Sequence, residues 1–353
     1  MKEYWLWLSM LKGVGPVTLR KLIDTFGTPL EVYKASYLDL TSVPGIRRTV
    51  ADTIIDSRSL DAAKHLKEKM FNLGIKLCAY READYPSRLN IDSRLPAVLY
   101  YRGQLQIPVQ SIGIIGSRRC TSYGKQVTAE VAEYLGQQGV TVVSGLAKGI
   151  DSYAHTACLK AGGYTLAFVA NGPEICYPPE HQGLMNEIIN NGAIISPFPP
   201  GTRPKQEYFP LRNQLLSAWV DKLLVVEAAE RSGALITAKY AMEYGRPVYA
   251  VPNSIYAVES KGTNRLLQNG AIAYLTPEEL ASLKLSNREA RELKPHANHS
   301  EGEKWVMEHL DKPMRIEDLQ ATYPGDTKDL LAILVQLEIL GEIIITGQLI
   351  KRG

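Results

Sequence analysis

Four clusters in the sequence combine glycine, a short polar residue and a basic or amide side chain where an apolar run gives way to a helical pattern. The first is Ser111 to Arg119, SIGIIGSRR, a strand-forming run broken by Gly116-Ser117-Arg118. A helix that opens directly after a parallel strand has unpaired N–H groups and a positive dipole end, so such a turn can hold an anion. Arg118 adds a planar fork of donors suited to phosphate. A structural reading is equally open here: Gly116 makes the turn and Arg118 pairs with a surface carboxylate. The second cluster, Ser144-Gly145-Leu146-Ala147-Lys148-Gly149-Ile150-Asp151, repeats the arrangement, with Gly145 and Gly149 permitting close backbone approach. In the third, Phe209 to Gln214, proline sets a turn and Arg212 and Asn213 begin a helix, either to contact a phosphate or base edge or to hold the sheet edge together. Arg231 to Ala238, with Ser232 and Gly233, is a fourth helix start after a strand. Four such starts in one sheet predict a groove long enough for a polymer.

Other chemistry is weakly supported. Neither GxxxxGK[ST] nor GxGxxG occurs, so no nucleotide cofactor is expected. Asp151 and His155 share a helix face and have the types of an acid–base pair, but no nucleophile is placed beside them. Helix capping by Asp151 and interior packing of His155 is the favoured reading. Cys78, Cys120, Cys158 and Cys176 form no CxxC pair, which argues against zinc and against a disulfide framework. His296 and His299 sit in a polar stretch without further ligands, so no metal is expected there.

The elements that must position these clusters follow from periodicity. From Gly74 onward strands and helices alternate, which predicts a doubly wound α/β sheet. Nine strands are expected, at 75–79, 97–101, 112–116, 141–144, 165–170, 193–196, 222–227, 247–251 and 272–275. Residues 1–68 read as short helices around two similar glycine turns, Leu11 to Pro16 and Val43 to Ile46. That pair resembles the tandem helix-hairpin-helix (SAM-like) arrangement, which grips DNA phosphates, and Lys12, Arg20, Lys21, Arg47 and Arg48 flank it. A cap or protein-contact role stays open for it. Residues 69–283 form the sheet domain, 284–300 a polar linker, and 301–353 three helical patterns and a hairpin turning at Gly347, the order of a winged helix.

The chain of 353 residues has a net charge of +3, distributed unevenly. Residues 301–353 hold six Lys or Arg against ten Asp or Glu, net −4, leaving +7 on residues 1–300. An anionic partner is therefore expected on the first 300 residues, and a protein contact for the acidic third module. No stretch reaches the roughly 18 consecutive apolar residues of a membrane helix. Met1 to Leu11 carries Glu3 and lacks a small-residue cleavage site, so it reads as an amphipathic helix, and a cytoplasmic location is expected.

The series Tyr85-Pro86, Gly116-Ser117-Arg118, Ser144-Gly145 with Gly149-Ile150-Asp151 and Ala154-His155, Tyr177-Pro178, Phe209-Pro210 with Arg212-Asn213, Glu227-Ala228 with Ser232-Gly233, and Gly262-Thr263-Asn264 resembles the DNA-processing protein A family (DprA, also called Smf). The resemblance implies an extended Rossmann-like domain between the two smaller modules, and a non-enzymatic protein of natural transformation. It further implies that the protein binds single-stranded DNA in a basic groove, forms a homodimer through the sheet domain and loads the RecA recombinase. Carried onto this chain, the DNA and phosphate contacts fall on Gly116, Ser117 and Arg118, on Ser144, Gly145, Lys148, Gly149 and Asp151, on Arg212 and Asn213, and on Ser232 and Gly233.

Three positions depart from the family pattern. Ser196-Pro197-Phe198 stands where a serine is usually followed by glutamate, Gln214 where an arginine is usual, and Asn253 where glycine is usual. Loss of the arginine at 214 predicts one cation fewer beside the groove. Tyr123, Tyr208 and Phe209 are near enough to the loops to stack on bases or to pack the turns. The alternative is a nucleoside-monophosphate phosphoribohydrolase on a similar core, but Arg231 to Tyr240 lacks the glutamate that chemistry requires.

Overall fold

The computed structural model describes residues 1–281, 300–310, 312–339, 343–346 and 349–352. The chain divides into two compact units, Met1–Leu283 and Lys284–Gly353. The expected linker over 284–300, with His296 and His299, lies outside the described residues except for Ser300, and the turn at Gly347 lies outside them too.

The first unit opens with six helices: α1 (Lys2–Met10), α2 (Pro16–Phe26), α3 (Pro29–Lys34), α4 (Tyr37–Ser42), α5 (Arg48–Asp56) and α6 (Asp61–Asn72). Local signals fix their ends. Pro16 opens α2, where its missing N–H costs nothing, and Gly27 closes it at φ +81°. Ser36 and Asp39 form a reciprocal capping box on α4. The expected break after residue 68 falls inside α6, which continues until Gly74, at φ +64°, turns the chain into the sheet.

All nine expected strands form, within one or two residues at their ends: β1 (Ile75–Ala79), β2 (Val98–Gly103), β3 (Ser111–Ile115), β4 (Thr141–Ser144), β5 (Thr165–Phe168), β6 (Gly192–Ser196), β7 (Lys222–Val225), β8 (Val248–Ala250) and β9 (Ile272–Ala273). They make one sheet in the order β1-β2-β6-β5-β4-β3-β7-β8-β9. The seven strands from β6 to β9 are mutually parallel, and β2 joins β6 antiparallel, with Tyr100 opposite Ser196. Helices α7 (Ser122–Gln137) and α8 (Ile150–Lys160) cover one face, packing on Ile112, Ile114 and Leu224. Helices α9 (Gln182–Asn191), α10 (Phe209–Trp219), α11 (Gly233–Glu243) and α12 (Lys261–Gln268) complete the wrap. Trp219 of α10 meets Phe168 of β5 edge-on, centroids 5.2 Å apart, in the core of the α10 face.

The N-terminal helices share a core with the antiparallel edge: Leu6, Leu22, Ile23 and Ile54 pack together with Leu77, Val98 and Tyr100. Arg20 joins the same junction and is only 5% exposed. It donates to Tyr85 Oη (2.7 Å), Leu89 O (3.2 Å) and Asn90 Oδ1 (3.1 Å), with its guanidinium 4.4 Å from the Tyr80 ring. Its expected place among the exposed hairpin cations is therefore corrected.

The second unit has helices Glu301–His309, Ile316–Thr322 and Thr327–Ile339, and strands β10 (Met314–Arg315), β11 (Ile343–Thr346) and β12 (Leu349–Arg352) in the order β10-β12-β11. The three helices and the two hairpin strands fall where the sequence places them, with an added two-residue strand, β10, too short to show alternation in the sequence. Val306, Leu319, Leu330, Leu334 and Ile350 form its core. Among the described residues no helix is long and apolar enough to cross a membrane.

Candidate functional site

In the parallel sheet, β3 lies between β4 and β7, so the connections leaving β3 and β7 diverge at their carboxyl ends. Open α/β sheets form a ligand crevice at such a point. A cleft of about 890 Å³ opens there, walled by Gly116 to Arg119 after β3, by Ala229 and Arg231 to Ala234 after β7, and by the start of α10. A smaller pocket of about 270 Å³ adjoins it over the ends of β4 and β5, and Arg118, Phe209 and Arg212 border both.

Close packing of the loops makes the cleft. A Cβ at Gly116 would fall 2.7 Å from Ile150 Cγ1 and 2.9 Å from Glu227 O. Gly149, at φ +77°, lies against the Ser117–Arg118 backbone, and Ile150 N donates to Ser117 O at 3.2 Å. Glu227, fully buried, accepts from Thr121 N at 2.9 Å and from Thr121 Oγ1, which fixes the start of α7 to the end of β7. The loop bearing Arg118 is thus held at both ends by buried groups.

Arg212 is 6% exposed, yet its guanidinium makes no hydrogen bond or ion pair with a described residue, and Nε is buried without a partner. It lies beside Gly145 and Asp151, with Phe209 5.7 Å away. Arg118 stands 5.8 Å from the same ring, so two guanidinium groups lie near Phe209. Burial lowers the Arg212 pKa, opposed by the Asp151 charge and reinforced by Arg118. Burial raises the Asp151 carboxyl, with Arg212 and the Gly145 and Ala147 amides opposing. Asp151 Oδ2 accepts from Gly145 N at 3.1 Å, so this carboxylate fixes the second loop. Burying a cation without a hydrogen bond is costly; the Asp151 charge offsets part of that cost, and an anion entering the cleft would offset more.

The structure brings Gly116, Ser117, Arg118, Asp151, Arg212, Asn213, Ser232 and Gly233 to the cleft wall, and Gly145 and Lys148 to the adjoining pocket. Ser232 also caps α11, accepting from Ala234 N at 3.3 Å. Lys148 is exposed and paired with Glu180. Two expected contact residues are corrected. Ser144 is fully buried and donates to Ile114 O at 2.6 Å, which ties β4 to β3, and Gly149 serves the packing of the first loop. His155 is buried and bonded to Thr165 Oγ1 at 2.7 Å, apart from the Asp151 bond to Gly145. Gln214 is corrected too: it turns from the cleft, donating to Tyr244 Oη (2.7 Å) and Asp92 Oδ2 (3.2 Å), so no groove cation is missing there. Tyr123 bonds Pro252 O at 3.2 Å and does not line the cleft.

Sequence reasoning passed over Arg119, Lys205 and Arg231 as site residues, although all three line the cleft. Arg119 and Arg231 lie inside the first and fourth clusters, next to Arg118 and Ser232. Lys205 lies in a proline-rich connection with no periodic signal. With Arg118 and Arg212 these make five cations on the wall, against the carboxylates of Asp151 and Glu259.

Comparison with known proteins matches this architecture. The family model for DNA recombination-mediator protein A covers residues 76–284, and that for the SAM-like helix-hairpin-helix tandem covers residues 8–58. The chain belongs to the DNA recombination-mediator protein A family. It is 37% identical over 285 residues to Protein Smf of Synechocystis, spanning 79% of this chain and 71% of that one. It is 37% identical over 209 residues to DNA processing protein DprA of Bacillus subtilis, 59% of this chain and 70% of the relative. Among solved structures, DprA from Streptococcus pneumoniae superposes with a TM-score of 0.70 at 28% identity, over 80% of this chain and 97% of that one. DprA from Helicobacter pylori, described for its single-stranded DNA binding mode, gives 0.53 at 29% identity over 58% and 93%. Family membership thus rests on the sheet domain and extends to the N-terminal helices.

Proposed function

We propose that the cleft binds single-stranded DNA and that the chain acts, without chemistry of its own, as a recombination mediator that protects incoming DNA and loads a RecA-type recombinase during natural transformation. The observation that carries this reading is the buried Arg212 side chain, which makes no hydrogen bond with a described residue and shares the Phe209 ring with Arg118. Two forks beside one aromatic ring suit alternating phosphates and bases, which is how single strands are held without sequence preference. Backbone donors at Gly116, Ser117 and Gly233 and the side chains of Arg118, Lys148, Arg212, Asn213 and Ser232 are the proposed contacts. The related single-strand binding of the Helicobacter pylori protein supports the same ligand class. Homodimerisation through the sheet domain, a protein contact for the acidic C-terminal unit and a cytoplasmic location complete the reading.

Fluorescence anisotropy of labelled oligo-dT and a duplex of equal length, over a salt series, tests it. Single strand is preferred, affinity falls with salt, and Arg118→Ala reduces the logarithmic salt slope by about 0.7 for one lost phosphate contact. Absence of binding at low salt would overturn the reading, and hydrolysis of a nucleoside monophosphate would favour the phosphoribohydrolase alternative.

A further inference from the structure

The connection from β6 to α10, residues 197–208, is stiffer than a simple crossing needs. It contains Pro197, Pro199, Pro200 and Pro204, each with its φ fixed. Thr202 closes it internally, donating to Pro199 O from N (3.2 Å) and Oγ1 (2.7 Å). Gly172 N donates to Thr202 O at 2.9 Å and Gly201 N donates to the Glu174 carboxylate, which pins the segment to the end of β5. On this frame Phe198 and Tyr208, both half-buried, form a tilted ring pair with centroids 4.3 Å apart and planes at 32°. Neither ring lines the cleft, but the residues that follow them do: Phe209 is next in the chain to Tyr208, and Lys205, on the cleft wall, has Nζ 5.6 Å from the Tyr208 ring. Glu207, 3.9 Å from Lys205, is exposed, and so wide and solvated a pair yields readily to a phosphate.

The geometry points to a base-stacking platform outside the cleft, in which the Phe198–Tyr208 pair takes one further base of a single strand while Lys205 holds the phosphate between platform and cleft. This rests on the single-strand reading of the cleft and extends it by a subsite. Rings held by each other and by a proline-fixed backbone lose little freedom when a base stacks on them, so the contact area converts efficiently into affinity. Every base has a π-face, so the platform adds affinity and strand length without sequence preference. An oligomer short enough to end inside the cleft cannot reach it.

The test compares oligo-dT of about 4 and about 15 nucleotides by anisotropy on the full chain, lengths that bracket a single-strand site. Phe198→Ala weakens the long oligomer about tenfold and leaves the short one unchanged, as one lost base stack requires. Phe198→Leu, which keeps apolar packing and the melting temperature but has no π-face, shows the same length-dependent loss, and Phe198→Trp restores the affinity. Equal loss on both lengths, or wild-type binding of the long oligomer by Phe198→Leu, overturns the platform. Arg118→Ala separates the two readings: a loss there with none at Phe198 removes the platform alone, and no loss at either removes the cleft reading with it.

Discussion

The guanidinium of Arg212 occupies the space that a side chain at residue 145 would fill: a Cβ there would lie 2.6 Å from Arg212 Cζ and 2.8 Å from Asp151 Oδ2. Gly145 is therefore needed for room, since its φ is not in the left-handed region. Gly145→Ala must displace the buried Arg212 guanidinium while keeping both charges. The expected outcome is a loss of oligo-dT affinity of about tenfold or more, close to that of Arg212→Ala, because one charge-assisted bond is worth about 1.5 to 3 kcal/mol. The double variant is expected to be little worse than either single one, as for residues that act through one contact. Gly233 provides the contrast, since a Cβ there meets nothing within 4 Å. Gly233→Ala is expected to change unfolding free energy by less than about 0.5 kcal/mol in urea titrations.

Arg20 couples the N-terminal helices to the sheet through side-chain bonds, not only through shared apolar surface. Arg20→Ala removes three donated bonds and leaves Leu89 O and the Tyr85 ring without the cation they surround. The expected cost is about 2 to 4 kcal/mol in urea unfolding, with faster proteolysis at the junction between α6 and β2. Arg20→Lys is expected to recover little, because one ammonium cannot reproduce a fork aimed at Tyr85, Leu89 and Asn90 together.

Arg20 and Gln214 also mark where the sequence stops being legible. The nine strands were readable because β-forming runs alternate with helical patterns, and the loop clusters because glycine and a cation follow a strand at each site. The facing of single side chains was not. Residues two apart on a helix point about 200° apart, so Arg212 enters the cleft while Gln214 reaches Tyr244 on the other side. Likewise α2 buries Arg20 and leaves Lys21 exposed, although the two are neighbours with the same charge. Burial of Ser144 follows from its place at the inner end of β4, where the hydroxyl finds Ile114 O. Lys205 carried no signal because a connection made of prolines has no period to read.

His155 gives the fold a defined acid limit. It is fully buried on α8, its Nδ1 is bonded to Thr165 Oγ1 and its Nε2 has no partner. Burial, with the nearby His181 and Arg212 charges, pushes its pKa down from 6.5 to about 3. Between those values the unfolded chain binds a proton that the folded chain refuses, so stability falls as the pH drops. The contribution is complete above about pH 6.5 and diminishes toward pH 3 with a slope approaching about 1.4 kcal/mol per unit. Asp151 acts in the opposite sense, since burial raises its carboxyl and the folded state keeps that proton longer. The check is urea unfolding of the wild type and His155→Gln between pH 7 and pH 5, a window chosen to stay above most carboxylates. Glutamine can still donate to Thr165 but does not titrate. Its stability is expected to decline less steeply by about one proton, and parallel profiles for the two proteins would assign the acid limit to another group.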